Sequence, residues 1–263
     1  MSRTHRSVLI TGASSGIGRG LTRAYAAPGI RLALLGRDGV RLEAVAAEAR
    51  AKGAEVETGI VDVRDRTAIA QWIAAADAAR PFDLAIANAG ITTGLAPGEL
   101  TEDPEAVRAI VTTNLLGVLN TAEPLIGPMC ARGSGQLALI GSIAGLHGLH
   151  YSPAYCVAKA GVHAYAESIR ARLEQRGVLV SLVVAGFVKT PLNDSITSLK
   201  PGEISEDQAG LLIKRRLAAG HATIAFPWFL YMAARLGRLL PARVYDRVMR
   251  NVDATVPATR ERV

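Results

Sequence analysis

The chain has 263 residues, of which 49% are hydrophobic and 20% charged, with a formal net charge of +7. This composition excludes an extended disordered chain, and the two cysteines, Cys130 and Cys156, have neither the number of a disulfide framework nor the spacing of a metal site. The start lacks a signal-peptide core and no stretch reaches the about 18 apolar residues of a membrane span, so we expect a single cytoplasmic domain without metal.

Short apolar runs alternate with longer amphipathic stretches along the chain. The runs are near-continuous in Val, Ile, Leu and Ala, which is typical of strands covered on both faces. Their alternation with helices predicts an α/β fold with a doubly wound parallel sheet of about seven strands. The predicted strands are SVLIT, IRLALLG, AEVETGIV, FDLAIAN, GQLALIGS, VLVSLVV and ATIAFP, and the predicted helices are 16–27, 39–52, 65–79, 104–131 and 153–176.

A glycine-rich turn, TGASSGIGRG, follows the first predicted strand. Its glycines lack Cβ atoms, so a pyrophosphate can approach the backbone at the N-terminus of the next helix. Because strand, turn and helix stand in the order of a βαβ unit, a dinucleotide site is favoured over a purely structural turn. The residues predicted to bind it here are Gly12, Ser14, Ser15, Gly16, Ile17 and Gly18.

The end of the second predicted strand, LLGRD, bears on the choice of dinucleotide. Gly36 stands where an acid would bind the ribose 2′-hydroxyl of NAD, and Arg37 follows it. A guanidinium suits a 2′-phosphate through its charge and its planar donor fork. We therefore expect NADP(H) rather than NAD(H), and Asp38 is expected to cap the next helix.

The order of the motifs resembles that of the short-chain dehydrogenase/reductase family over residues 7–190. Besides the glycine turn, the resemblance rests on DV, NAG, a mid-helix asparagine, a serine in IGSIAG, and YCVAK. It implies a single-domain Rossmann fold, 1–263, and the interconversion of a ketone and a secondary alcohol by hydride transfer. Hydride would come from a nicotinamide cofactor.

The resemblance gives four residues catalytic roles. Tyr155 would be the general acid/base, and Lys159, one helical turn away, would lower its pKa and hold the nicotinamide ribose. Ser142 would orient the substrate oxygen, and Asn114 would hold a water in the proton relay. A tyrosine of ordinary pKa, about 10, is a poor base near neutral pH, so a neighbouring cation makes chemical sense.

Further cofactor contacts follow from the same resemblance. Asp62 and Val63 would face the adenine, and the NAG turn would face the ribose. Ala185 stands where the family usually has proline, which is expected to loosen the cofactor loop or to admit a bulkier substrate. The implied contacts are Asp62, Val63, Asn88, Ala89, Gly90, Gly186, Val188 and Thr190, together with Tyr155 and Lys159.

Predictions for substrate and partners are less specific. Ala144 and His150 are expected near a small-molecule carbonyl or alcohol, although a loop histidine with a local partner is the alternative. Residues 187–225 are expected to form a substrate-loop region. The helices 104–131 and 153–176 resemble those that pair subunits in the family, so a homodimer or homotetramer is expected. No nucleic-acid site is predicted, since recognition motifs are missing.

The extension 226–263 is apolar and basic, and 227–250 is predicted to be helical. Three uses remain open: packing on the domain, a subunit contact, and peripheral contact with a membrane. Its loose similarity to ketosphinganine-reductase-like and surface-polysaccharide enzymes suggests a lipid, acyl or polysaccharide-precursor ketone. A catalytically silent nucleotide sensor or membrane-peripheral scaffold is the alternative function, which the presence of the Ser, Tyr and Lys disfavours.

Overall fold

The computed structural model of the chain describes residues 3–95, 98–194 and 199–249. Its strands are β1 (Ser7–Thr11), β2 (Arg31–Gly36), β3 (Glu55–Ile60), β4 (Leu84–Ala87), β5 (Gly135–Ser142), β6 (Val178–Ala185), β7 (Val188–Lys189), β8 (Ile204–Ser205) and β9 (Thr223–Phe226). Its α-helices are α1 (Gly16–Tyr25), α2 (Gly39–Ala51), α3 (Arg66–Ala79), α4 (Pro104–Val111), α5 (Gly117–Arg132), α6 (Pro153–Glu174), α7 (Pro191–Asp194), α8 (Glu206–Ala218), α9 (Trp228–Gly237) and α10 (Ala242–Met249). A π-helical turn spans Thr112–Leu116, and a 3-10 turn spans Ile143–Gly145.

Seven of these strands form one parallel sheet in the order β3-β2-β1-β4-β5-β6-β9. The predicted doubly wound parallel sheet is therefore confirmed. The strand order reverses between β1 and β4, and such a reversal leaves a ligand-binding crevice at the carboxyl ends of the strands. The short β7 and β8 pair with each other in a separate parallel ladder.

The edge strand β3 departs from the prediction of near-continuous burial. Its Glu55 and Glu57 are exposed, while Gly59 is buried. The pattern alternates because an edge strand is covered by fewer neighbouring elements than a central one. The other six strands of the sheet lie where the apolar runs predicted them, within two residues at each end.

Two apolar layers cover the two faces of the sheet. Leu21 of α1 and Ile213 of α8 are fully buried in one layer. Ile73 of α3, Leu125 of α5 and Val162 of α6 are fully buried in the other. Each such side chain contributes about 1.5–3 kcal/mol to folding. The layers fix the helices against the sheet and so place the residues at its carboxyl edge.

The segment Pro104–Arg132 is long and apolar enough to cross a membrane by length and composition, which the sequence analysis did not expect. Half of its most apolar window is buried inside the fold, and α5 contacts α3, β4 and β5. The segment therefore packs against one face of the sheet as part of the protein core. Asp103 accepts a hydrogen bond from the Glu105 N–H at its start, as expected for a capping residue.

The two C-terminal regions are described in part. Within 187–225 the chain forms β7, α7, β8 and α8, and residues 195–198 lie outside the described ones. Helices α9 and α10 occupy most of the predicted helical stretch, and residues 250–263 of the extension also lie outside the described ones. Their division into a substrate-loop region and an extension stays a prediction.

Two glycines allow α1 and α8 to cross closely. A Cβ on Gly20 would lie 2.0 Å from the Glu206 carbonyl oxygen, and a Cβ on Gly210 would lie 2.2 Å from the Gly20 carbonyl oxygen. The crossing also lets Arg19 and Arg23 of α1 pair with the Glu206 carboxylate, at 2.6 and 3.0 Å. The contact anchors α8 to the helix that starts at the glycine turn.

Replacing Gly210 by alanine is expected to lower the free energy of unfolding by about 1–3 kcal/mol, because the added methyl group meets backbone that cannot move aside alone. Thermal unfolding followed by circular dichroism measures the effect. Gly127→Ala in α5 is the matched control, since its Cβ would meet nothing within 4 Å. The control should be neutral or slightly stabilising. Equal unfolding temperatures for the two variants would contradict the proposed role of the glycine contact.

Candidate active site

The glycine turn forms a cradle between β1 and α1. Gly12 and Gly16 have φ angles of 65° and 54°, in the left-handed region that favours glycine. A Cβ on Gly18 would lie 2.1 Å from the Gly12 carbonyl oxygen. The N-cap residue Ser15 makes no side-chain capping bond, which leaves amides of the first turn of α1 to other partners. The cradle therefore fits a pyrophosphate, held by backbone N–H groups and the helix dipole.

The turn Asn88–Gly90 after β4 is tied to the glycine turn. Asn88 Nδ2 donates to the carbonyl oxygens of Thr11 (2.9 Å) and Gly12 (3.2 Å). Thr11 Oγ1 accepts from the backbone N–H groups of Asn88 (3.0 Å) and Ala89 (3.3 Å). The structure thus brings together two of the motifs that were predicted to hold the cofactor.

Two arginines and a carboxylate meet beyond the carboxyl ends of β2 and β3. Arg64 donates to Asp62 through Nη2 (2.7 Å) and Nε (2.9 Å), and Arg37 Nη1 lies 3.7 Å from the same carboxylate. Burial raises the pKa of Asp62, but the hydrogen bonds from Arg64 outweigh it and hold that pKa below its ordinary value. Ser14 Oγ lies 3.7 Å from where a Cβ on Gly36 would be, so Ser14 borders this cluster.

Arg64 was not among the predicted cofactor residues, although its position directly after the DV motif was a usable signal. The remaining predicted cofactor residues take varied places. Val63 is buried, and its carbonyl oxygen accepts a bond from Asn120 Nδ2. Ile17 packs against the apolar layer of α1 and α8. Thr190 lies against the glycine turn, since a Cβ on Gly16 would lie 3.1 Å from its Cγ2.

The helix α6 presents a column of three side chains at four-residue spacing, which places Tyr155, Lys159 and His163 along one face. Lys159 is 4% exposed, and its Nζ donates to the Ile140 carbonyl oxygen at 2.8 Å. Nζ also lies 5.6 Å from the centroid of the Tyr155 ring. The backbone N–H of Ser142 donates to His163 Nε2 at 3.4 Å. His163 was missed, although its spacing from Lys159 was visible in the sequence.

Burial dominates the pKa values of this column. Burial raises the pKa of Tyr155 to about 12, while the nearby Ser142 side chain lowers it. Burial lowers the pKa of Lys159 to about 8. Burial, with the charge of Lys159, lowers the pKa of His163 to about 4, so its ring is neutral and can accept a bond.

The shift of the Tyr155 pKa has the opposite sign to the one expected from the sequence. The expectation was that Lys159 would lower this pKa. Desolvation of the phenol outweighs the other influences, and the Lys159 ammonium is engaged with the carbonyl oxygen of Ile140. In this structure the hydroxyl is therefore held in its protonated form at neutral pH.

Asn114 is fully buried in the π-helical turn between α4 and α5. Its Oδ1 accepts from the Ile91 N–H at 2.8 Å, and its Nδ2 donates to the Ile91 carbonyl oxygen at 2.7 Å. The side chain therefore braces the loop that follows the Asn88–Gly90 turn. Its role in holding a relay water stays a prediction.

A buried carboxylate caps the helix that carries the column. Glu102 Oε2 accepts from the Ala154 N–H at 2.7 Å, at the start of α6. Burial raises the pKa of Glu102, and the hydrogen bond from Ala154 lowers it. Sequence reasoning could not find this contact, because 52 residues separate the two positions and no local pattern marks it.

The loop after Ser142 holds the two residues predicted near the substrate. The Ala144 N–H donates to Ser142 Oγ at 3.2 Å, so Ala144 adjoins the serine that was predicted to be catalytic. His150 is exposed, and its ring meets Tyr151 edge-on at 5.2 Å. The other histidine of the loop, His147, stacks on Tyr245 of α10 with ring centroids 3.5 Å apart. The loop is therefore in contact with the C-terminal extension.

The carboxyl end of β6 lies beside Ser142. Ala185 is buried as the last residue of β6 and is paired in register with Ser142 of β5. The next residue, Gly186, donates its N–H to the Phe226 carbonyl oxygen at 2.8 Å, and Val188 is buried in the following short strand. Ala185, which stands where the family resemblance led us to expect proline, thus extends β6 to the level of Ser142 in β5.

Comparison with known proteins identifies the family of the chain. Residues 6–200 match the family described as short chain dehydrogenase. An uncharacterized oxidoreductase of Myxococcus xanthus is 35% identical over 95% of this chain and 98% of its own length. A granaticin polyketide synthase putative ketoacyl reductase of Streptomyces violaceoruber is 34% identical over 81% of this chain and 79% of its own length.

A solved structure from Burkholderia phymatum, a short chain dehydrogenase/reductase in complex with NAD, superposes with a TM-score of 0.81. It is 22% identical to this chain, and the match covers 91% of this chain and 95% of the other. At that identity the likeness supports the fold alone. Together with the family match over residues 6–200, these findings identify the chain as a member of the short-chain dehydrogenase/reductase family.

Proposed function

We propose that this NAD(P)-dependent oxidoreductase interconverts a ketone and a secondary alcohol, with NADP(H) as its preferred cofactor. The observation that carries the proposal is the column on α6, where Tyr155 and the buried Lys159 lie beside Ser142 at the carboxyl edge of the sheet. The glycine turn, which fits a dinucleotide, lies at the same carboxyl edge of the sheet. A bound nicotinamide would supply the hydride.

The proton chemistry follows from the burial of the phenol. With a pKa of about 12, Tyr155 remains protonated at neutral pH and can donate its proton to the oxygen of a ketone as that oxygen gains charge. The Ser142 hydroxyl lies beside it and would hold the same oxygen. Lys159 would stabilise the phenolate that remains, because a nearby ammonium favours a negative charge.

The preference for NADP(H) rests on the arginines beyond β2 and β3. Arg37 and Arg64 place two guanidinium groups around Asp62, and each presents donors suited to a phosphate. Arg37 and Arg64 carry two positive charges and Asp62 carries one negative charge, so this corner of the site has a net positive charge. Such a corner suits the 2′-phosphate of NADP better than the 2′-hydroxyl of NAD.

For the substrate, we propose a lipid, acyl or polysaccharide-precursor ketone. The similarity to a putative ketoacyl reductase supports the acyl class. Ala144 and His150 remain the proposed substrate contacts. We also propose a homodimer or homotetramer formed through the outer faces of the helices at 104–132 and α6, where the apolar side chains of Leu116 and Val157 are exposed.

Tyr155→Phe is expected to lower kcat by about 10²–10⁴-fold, because the acid that protonates the alkoxide is lost. Binding of NADPH, measured by its fluorescence, should stay within about threefold of the wild type, since the ring and Lys159 remain. Tyr165→Phe on the same helix is the matched control and should keep full turnover. If Tyr155→Phe turns over a ketone as fast as the wild type does, the proposed mechanism is wrong.

Arg37→Asp is expected to weaken NADPH binding at least tenfold, about 1.4 kcal/mol, while changing NADH binding much less. The reason is that a carboxylate would replace the cation facing the 2′-phosphate. Titration of cofactor fluorescence measures both affinities without turnover. Arg50→Asp, at the other end of α2, is the charge-matched control. Equal losses for NADPH and NADH would reject the proposed preference.

The pH profile of ketone reduction should follow the charge of Lys159. Its pKa of about 8 keeps the ammonium charged below that pH and neutral above it. Tyr155 stays protonated over the same range, so kcat/KM for reduction should be level near pH 7 and fall as the pH rises above about 8. Rates with NADPH between pH 6 and 10 test this. A profile that stays level to pH 10 would show that the charge of Lys159 is not needed.

A further inference from the structure

Helix α9 turns its most apolar face toward solvent. Trp228, Met232 and Leu236 recur every four residues and are 71%, 41% and 58% exposed. Residues Leu230 and Tyr231, on the opposite side, are half-buried against the fold. A surface helix normally faces its apolar stripe inward. We call the exposed set the apolar stripe, which comprises Trp228, Phe229, Met232, Leu236, Leu239 and Leu240.

Positive charge borders the apolar stripe. Arg235 and Arg238 follow within and just after α9, Arg243 lies in α10, and all three are exposed. Residues 228–249 contain four arginines and one acidic residue, Asp246, which gives a formal charge of +3. The segment therefore combines apolar side chains and cations on one surface.

The apolar stripe lies next to the active-site crevice. Helix α9 contacts the 3-10 turn Ile143–Gly145, which directly follows Ser142. In α10, Tyr245 stacks on His147 and its hydroxyl donates to the Gly148 carbonyl oxygen at 3.4 Å. The two helices thus flank the loop between the catalytic serine and the catalytic tyrosine.

We infer that the apolar stripe docks the enzyme on a lipid bilayer with anionic headgroups. The apolar side chains would enter the boundary of the acyl chains, and a tryptophan is suited to the level of the headgroups. The flanking arginines would pair with lipid phosphates. Burial of several large apolar side chains together with this charge is the combination that holds interfacial helices on membranes.

The charge also argues against a second copy as the occupant. In a two-fold interface the same patch meets itself, so the stripe of one chain would bring its +3 segment against that of the other. Like charges at close range are unfavourable, whereas an anionic surface complements them. The lipid surface is therefore the favoured partner.

Docking through the apolar stripe would also bear on the substrate, a point that rests on the proposed function. The crevice would open beside the membrane surface, so a ketone with an acyl chain could reach Tyr155 while its chain stays in the bilayer. A water-soluble ketone would gain nothing from this placement. The geometry thus favours the lipid or acyl class among the proposed substrates.

Vesicle binding of the full chain tests the inference. We expect the wild type to co-sediment with vesicles of phosphatidylglycerol at least tenfold more strongly than with phosphatidylcholine. In Trp72→Phe, Trp228 is the sole tryptophan of the chain, and its emission should shift to shorter wavelength on binding. Leu236→Glu should reduce sedimentation at least tenfold. Leu211→Glu, which replaces an exposed leucine of α8, is the matched control and should bind as the wild type does.

Three outcomes would overturn the inference. The first is a wild type that stays in the supernatant with phosphatidylglycerol vesicles. The second is equal binding by Leu236→Glu and the wild type, which would place the contact elsewhere. The third is a Leu236→Glu variant whose only change is dissociation of an oligomer in light scattering, which would assign the stripe to a second copy. Tyr155→Phe should bind vesicles normally, so loss of turnover and loss of docking are separate results.

Discussion

The burial of one ammonium group is the constraint on which the geometry of the candidate active site depends. A charged lysine taken out of water needs a hydrogen-bond acceptor, and Lys159 finds it in the Ile140 carbonyl oxygen. That bond joins α6 to β5 two residues before Ser142. Because Tyr155 lies one turn earlier on the same helix, its hydroxyl is placed next to the serine. The same burial lowers the pKa of Lys159.

The parallel sheet supplies the rest of the site by bringing distant strand ends to one edge. The glycine turn after β1 and the Asn88–Gly90 turn after β4 meet where the strand order reverses, and they share hydrogen bonds through Thr11. Gly12 lies so close to Ala89 that a Cβ would be 2.7 Å from its Cα. The topology of the sheet therefore places both the glycine turn and the column on α6 at the same edge.

Much of this was predictable from the sequence, because strands and helices follow local apolar periodicity and the motifs lie where strands end. The strands of the sheet and the capping of α2 by Asp38 needed only such signals, whereas the cofactor role of the Asn88–Gly90 turn was implied by the family resemblance. The partners of buried groups were not predictable. The bonds from Asn114 to Ile91 and from Ser142 to His163 join positions 23 and 21 residues apart, and neither has a sequence signature. The sign of the Tyr155 pKa shift depends on solvent exclusion, which spacing does not report.

The cap on α6 has a consequence for how this scaffold tolerates change. The Ala154 N–H in the first turn of α6 is bound by Glu102, a residue of the loop that follows β4, rather than by a neighbour in sequence. Insertions, deletions or transplanted loops that displace Glu102 would therefore remove a contact at the start of the helix that carries Tyr155. The loop after β4 and the start of α6 are therefore structurally coupled, although 52 residues separate Glu102 from Ala154.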